Sequence, residues 1–278
     1  MTLWHDLVAA LPFEWAQYDF MRSALLAALI VTPCFGMLGT MVVGRGMAFF
    51  SDVIGHSALT GVALGVLLGF NDPQPALIVF VIILAFVMNG VSMFTKASAD
   101  TVIGVFSAAV VALGVALLSR GGSFNKYTVY LVGDILSVTS SDIVHLAFMF
   151  AGVILFWVLF GNRLFLSGVN ASLISGTRPS SFVLQSLFSV ILALVVALSI
   201  KWVGILVINS LLVLPAASSR LVARTIRGYT VISCCIGFFS GITGLLISFY
   251  AGTAGGASIV LCAVIIYAAV LMMKRLIR

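Results

Sequence analysis

Charge is what this chain has least of. Only 8% of its 278 residues are Asp, Glu, Lys or Arg, against roughly 25% in an average soluble domain. No soluble fold of this length could hide the 62% hydrophobic residues, and mean hydropathy is +1.26. Several chemical motifs are missing as well. There is no Gly-x-x-x-x-Gly-Lys-Ser/Thr loop to cradle phosphates, so this chain does not hydrolyse nucleotide itself. No His-Glu-x-x-His pair supports a zinc protease, no nucleophilic Ser or Cys has a base beside it, and no haem or quinone motif stands out. No apolar run carries repeated Arg, which excludes a voltage sensor. The four cysteines (Cys34, Cys234, Cys235, Cys262) lie inside apolar runs without metal-ligand spacing and read as small hydrophobes. The N-terminus does not read as a signal peptide: Trp4, His5, Asp6, Glu14 and Asp19 replace a basic n-region.

What is present in abundance is apolar runs of membrane-spanning length. They fall at about 20–43, 47–69, 76–95, 101–119, 142–160, 182–200, 202–219, 229–250 and 256–273, each near the ~20 residues a spanning helix needs. The expected fold is an all-α polytopic membrane protein, a bundle of 8–9 transmembrane helices. The uncertain count lies in 182–219, where only Lys201 interrupts the pattern. A β-barrel is excluded, because its strands would be ~10 residues long and alternate in polarity. Residues 1–19 mix Trp4, Phe13, Trp15 and Tyr18 with acids, as an interfacial segment does. Residues 20–278 form one transmembrane domain with a linker at 161–181.

Lys and Arg lie almost entirely between the runs, which suits topology signals better than a nucleic-acid patch. Two spans separate Arg220, Arg224 and Arg227 from Lys274, Arg275 and Arg278. Both clusters therefore belong on the cytoplasmic side by the positive-inside rule. With nine spans, Arg163, Arg178, Lys96 and Arg45 also fall inside and the acidic N-terminus outside; Arg120 and Lys126 are the exceptions.

Against this background Asp52 and His56 stand out. The chain has eight acids and three histidines, and here one of each sits four positions apart inside an apolar run. That spacing puts both on one helix face. Ionisable groups in a bilayer are costly and mark candidate functional sites. The competing reading makes His56 a packing histidine and Asp52 the cap of a helix starting at Val53. Beyond them, Gly61, Gly65 and Gly69 form a small-residue stripe suited to close helix packing.

Other polar features have plainer readings. Asn71 to Pro75 is a turn, and Asp100 or Ser98 caps a helix. Residues 130–136 have the pattern of a short re-entrant or surface helix. Asp134 and Asp142 solvate or cap, or bind metal; His145, three residues after Asp142, is either an interfacial residue or part of a second ligand site. Asn209, Ser210 and Pro215 form the second polar feature within the membrane, either as packing glue or as the lining of a path beside Asp52 and His56. The 161–181 linker has enough apolar content for an amphipathic helix ending at Gly176, either docking against something or simply connecting two spans.

Four stretches, in order, resemble the membrane permeases of bacterial zinc/manganese/iron ATP-binding-cassette importers, the zinc permeases most nearly. The most specific runs from Arg45-Gly46-Met47 to Ser51-Asp52-Val53-Ile54-Gly55-His56-Ser57-Ala58-Leu59, similar to the family's Arg-Arg-Met…Gly-Asp-x-x-x-His-(Ala/Ser). The others are Asp100-Thr101-Val102-Ile103-Gly104, Tyr130-Leu131-Val132-Gly133-Asp134, and Val203-Gly204-Ile205-Leu206 through Leu214-Pro215-Ala216-Ala217. Gly46, Ser51 and Val132 depart from the pattern, and the linker keeps Asn170, Leu173 and Gly176 but lacks the family's acidic residue.

The resemblance implies a homodimer in the bacterial inner membrane, cytoplasmic ATP-binding subunits that use the ATP, and an extracytoplasmic metal-binding protein. Asn170, Leu173 and Gly176 become the candidates for docking the ATPase. No resident cofactor and no enzymatic activity are expected of this chain. Two copies would bring two carboxylates and two imidazoles to one axis, a set that favours zinc over manganese or iron as the transported ion. The main alternative is an ion- or proton-coupled secondary metal transporter using Asp52 and His56 as a relay. A membrane metalloenzyme lacks its motif.

Overall fold

The computed structural model describes residues 2–10, 12–95, 99–120, 133–169 and 178–276. Among them are ten α-helices, two 3-10 helices and no strand. A short α1 (Thr2–Ala9) precedes nine long helices that follow the nine apolar runs in order. These are α2 (Asp19–Gly44), α3 (Ala48–Leu67), α4 (Gln74–Phe94), α5 (Ala99–Arg120), α6 (Ser140–Val169), α7 (Arg178–Val203), α8 (Ile205–Val222), α9 (Ile226–Ala251) and α10 (Gly255–Leu276). Seven are long and apolar enough to cross a membrane; the apolar parts of α5 and α8, Thr101–Leu117 and Val207–Val222, are shorter.

The doubtful region 182–219 contains two helices, but Lys201 does not divide them. It lies in the last turn of α7, and the break falls at Gly204, whose φ of +82° is open to glycine and rarely to other residues. The Gly204 amide closes α7 on Ile200 and its carbonyl accepts from Ile208 to open α8. Gly133 is pressed so closely against the Val203–Gly204 peptide that a Cβ there would overlap it. Asp134 then caps the 3-10 helix Ile135–Ser137 by accepting from the Leu136 amide at 3.2 Å. That is the described part of the short helix expected at 130–136; Tyr130 to Val132 lie outside the described residues.

The linker expected at 161–181 is shorter than its polarity implied. Helix α6 runs on through Gly161, Asn162 and Arg163 to Val169, and α7 begins at Arg178. Polar residues end an apolar run without ending a helix, since Asn and Arg cost a helix little. Asn170, Leu173 and Gly176 lie outside the described residues, as does Ser98; α5 begins at Ala99, so Asp100 falls inside it.

Helices α2 and α3 form the interior, whereas α10 is largely exposed, as a peripheral membrane helix would be. Glycines let α2 approach its neighbours: Gly36 meets the Ser233–Cys234 backbone of α9, and Gly39 meets Leu212 of α8. Ser233 donates to the Gly36 carbonyl at 2.8 Å, an interhelical bond of the kind that holds membrane bundles. At the other end of α2, Trp4 of α1 donates to the Arg22 carbonyl at 3.1 Å, and Arg22 pairs with Asp19 at 3.0 Å.

Candidate metal site

Helix α3 begins at Ala48, a full turn before Asp52, so Asp52 is not its cap. Both Asp52 and His56 project from the helix body, on one face as their spacing requires. The His56 Nε2 lies 3.5 Å from Asp52 Oδ1, and the two side chains are 33% and 44% exposed respectively. A histidine packed as an apolar filler would be covered; this one reaches open space beside a carboxylate.

The third member comes from 157 residues away. Asn209 on α8 donates from Nδ2 to Asp52 Oδ1 at 2.6 Å. The close approach of α8 to α3 at this level depends on Gly55. A Cβ there would stand 3.0 Å from Ile205 Cγ2 and 3.5 Å from the Asn209 amide atoms. Asn209 Oδ1 is buried and meets no hydrogen-bond partner among the described residues. The sequence marked Asn209 as a candidate, but its partnership with Asp52 could not be read from spacing.

The other two candidates of that run behave differently. Ser210 is half-buried and turned about 100° from Asn209 around α8. Pro215 Cγ lies 3.9 Å from the point where a Cβ on Gly237 of α9 would stand, so Pro215 packs on α9, away from the pair. The hydroxyls flanking the pair are turned back on α3 itself: Ser51 donates to the Ala48 carbonyl and Ser57 to Ile54, both at 2.7 Å.

Of the glycine stripe, Gly61 and Gly65 pack as expected, against Leu77 of α4 and against Pro73 and Ala76 at its start. Gly69 does not. With φ +77° and open space around it, it terminates α3, and the Phe70 amide returns to the Gly65 carbonyl at 3.0 Å. Gly46, in place of the family's second Arg, ends α2 in the same way, with φ +68° and the Met47 amide on the Val42 carbonyl.

Asp142 takes the capping role. Its Oδ2 accepts from the Thr139 amide at 3.0 Å and from the Thr139 hydroxyl at 2.7 Å, while His145 is exposed one turn on. Asp72 likewise holds the Gln74 amide at 3.0 Å to start α4. All four cysteines are free. No group of three or more His, Cys, Asp or Glu that could hold a metal ion occurs among the described residues, so Asp52 and His56 supply two charged or imidazole donors and no more.

Comparison with known proteins places this arrangement in context. Residues 17–274 match the ABC 3 transport family. The chain belongs to that family. It is 32% identical over 255 residues to the high-affinity zinc uptake system membrane protein ZnuB of Haemophilus influenzae, covering 90% of this chain and 96% of the relative. It is 30% identical over 251 residues to the manganese transport system membrane protein MntC of Listeria monocytogenes, covering 90% and 89%. Among solved structures, PsaBC from Streptococcus pneumoniae in complex with Fab superposes with a TM-score of 0.79 at 27% identity, over 97% of this chain and 95% of that one. The resemblance drawn from four short motifs therefore holds over nearly the whole chain, and the protein is a multi-pass membrane permease.

Proposed function

We propose that this permease carries a divalent transition metal ion, zinc foremost, into the cytoplasm as part of an ATP-driven importer. The observation that carries the reading is the convergence of His56 Nε2 and Asn209 Nδ2 on one oxygen of Asp52, with the carboxylate and the imidazole both partly open. Asn209 holds Oδ1 by a neutral donor and so leaves the second carboxylate oxygen for an ion without cancelling the negative charge. Two donors from one chain are too few to hold an ion in a membrane. A second copy facing the first would complete a set of two carboxylates and two imidazoles along the dimer axis. Such a set suits tetrahedral zinc better than the oxygen-rich octahedra of manganese, and iron is the remaining candidate. Relatives named for zinc and for manganese both support metal transport and divide only over the ion.

In this reading ATP is hydrolysed on separate cytoplasmic subunits that bear on the linker around Asn170, Leu173 and Gly176. A metal-binding protein delivers the ion from outside. The N-terminal segment 1–19 lies at the outer interface, the domain 20–278 spans the inner membrane, and the C-terminus is cytoplasmic.

The test is uptake by the complex reconstituted with its ATPase in proteoliposomes. Zinc should enter only with ATP, and Asp52→Ala or His56→Ala should abolish entry while the permease still assembles in the membrane. Unimpaired uptake in both variants would falsify the site, uptake driven by a proton gradient without ATP would favour the secondary transporter, and faster manganese than zinc entry would overturn the choice of ion.

A further inference from the structure

At the end of the bundle remote from the Gly133–Gly204 contact, α2, α6, α8 and α9 line an open cavity of about 280 Å³. Its wall carries Arg45, Arg220 and Arg224, and none of the described residues lining it is acidic. Two further features point at the same space. The first is the N-terminus of α9, a 26-residue helix whose cap, Thr225, accepts from the Gly228 amide at 3.1 Å. Thr225 and Ile226 at this terminus line the cavity, so the positive end of the helix dipole lies at its wall. The second is Tyr229, one turn into α9. The residue is only 9% exposed and lines the cavity, and its hydroxyl is buried with no hydrogen-bond partner among the described residues. A buried phenol left unpaired costs free energy that a hydrogen-bond acceptor in the cavity would recover.

Three guanidinium groups, a helix N-terminus and a phenolic donor around one space are the donor set of an oxyanion site. We propose that this cavity binds a phosphate group, carried either by an anionic lipid headgroup or by a small soluble phosphate. The lipid source fits the location: the same end carries Arg227, Lys274 and Arg275, the basic side that the positive-inside rule turns to the cytoplasm. The site is separate from the metal pair and does not depend on which ion is carried.

The test uses the full chain in a neutral detergent, with melting temperature followed during titration with short-chain phosphatidylglycerol, phosphatidylcholine or inorganic phosphate. Phosphatidylglycerol should stabilise saturably and phosphatidylcholine far less. Arg224→Gln should raise the half-saturating concentration about tenfold, as loss of one charge-assisted contact does. Tyr229→Phe, which keeps the ring and its packing, should raise it severalfold. Arg275→Gln removes an equal charge outside the cavity and should change nothing. If inorganic phosphate stabilises with the same dependence on Arg224 and Tyr229, the soluble anion is the source; if only the lipid does so, the headgroup is. The proposal fails if neither stabilises the wild type, or if Arg275→Gln weakens the effect as much as the cavity variants do. It fails too if adding the ATPase subunit displaces the ligand, which would give the cavity to an acidic side chain of that partner.

Discussion

Along α3 the same four-residue step occurs twice, once from Asp52 to His56 and once from Gly61 to Gly65, and the two halves of the helix put it to different uses. In the C-terminal half the step brings backbones together: a Cβ on Gly61 would stand 2.7 Å from the Cα of Leu77. The one polar side chain there, Thr60, is buried and donates to the Val110 carbonyl of α5. In the N-terminal half the step brings two ionisable side chains together, one turn apart and partly open, with the buried Asn209 oxygen beside them meeting no hydrogen-bond partner among the described residues. A tight, satisfied contact has nothing left to offer an ion; a loose, unsatisfied one does. The helix is thus anchored by one end and left chemically available at the other.

The sharpest way to break this contrast is to load the anchored end. Gly61→Leu places a side chain where the α4 backbone stands, and neither helix yields without parting from the other. Overpacking of this kind costs roughly 1–3 kcal/mol and more against a backbone. The expected outcome is a large fall in folded protein recovered from the membrane, with uptake per folded molecule preserved as far as any survives. Recovery at wild-type levels would mean that α3 and α4 are free to separate and that α3 has no fixed end.

Next in size is the available end. Asn209→Leu keeps the bulk of the side chain but removes the donor to Asp52. A hydrogen bond to a charged group contributes about 1.5–3 kcal/mol, less where water reaches the carboxylate as it does here. Apparent affinity for the transported metal should weaken by roughly tenfold, with the melting temperature almost unchanged. Unaltered metal affinity would remove Asn209 from the site and leave the pair supported by α3 alone.

The contrast also marks how far the sequence could be read. Apolar run length placed the nine long helices among the described residues in order, seven of them long and apolar enough to cross a membrane, because a bilayer demands ~20 apolar residues whatever the packing. The Asp52/His56 pair was legible because a helix converts a spacing of four directly into proximity. Gly61, Gly65 and Gly69 looked alike, yet Gly69 proved to be the end of the helix: periodicity cannot distinguish a glycine that packs from one that turns. Lys201 looked like the boundary between two spans because charge marks where water begins. The backbone broke at Gly204 instead, since a long Lys side chain reaches water from within a helix while the chain turns where a positive φ is cheap. The bond from Asn209 to Asp52 lay beyond reach for a different reason. It joins residues 157 positions apart, and only the packing of α8 on Gly55 brings them together.

The smallest expected effect tests whether polarity alone makes a residue part of the path. Thr60 lies one turn beyond His56, and Asn209 lies beside Asp52; both are polar side chains in apolar helices with a single interhelical hydrogen bond. Thr60→Val removes the donor to the Val110 carbonyl at nearly constant volume. That carbonyl already lies within α5 and keeps its helical partner, so the net loss is about 1 kcal/mol or less. A slight drop in melting temperature is expected, with metal affinity and uptake unchanged. If Thr60→Val weakened metal affinity as Asn209→Leu should, the path would extend through the C-terminal half of α3. The four-residue step would then have one use along the whole helix rather than two.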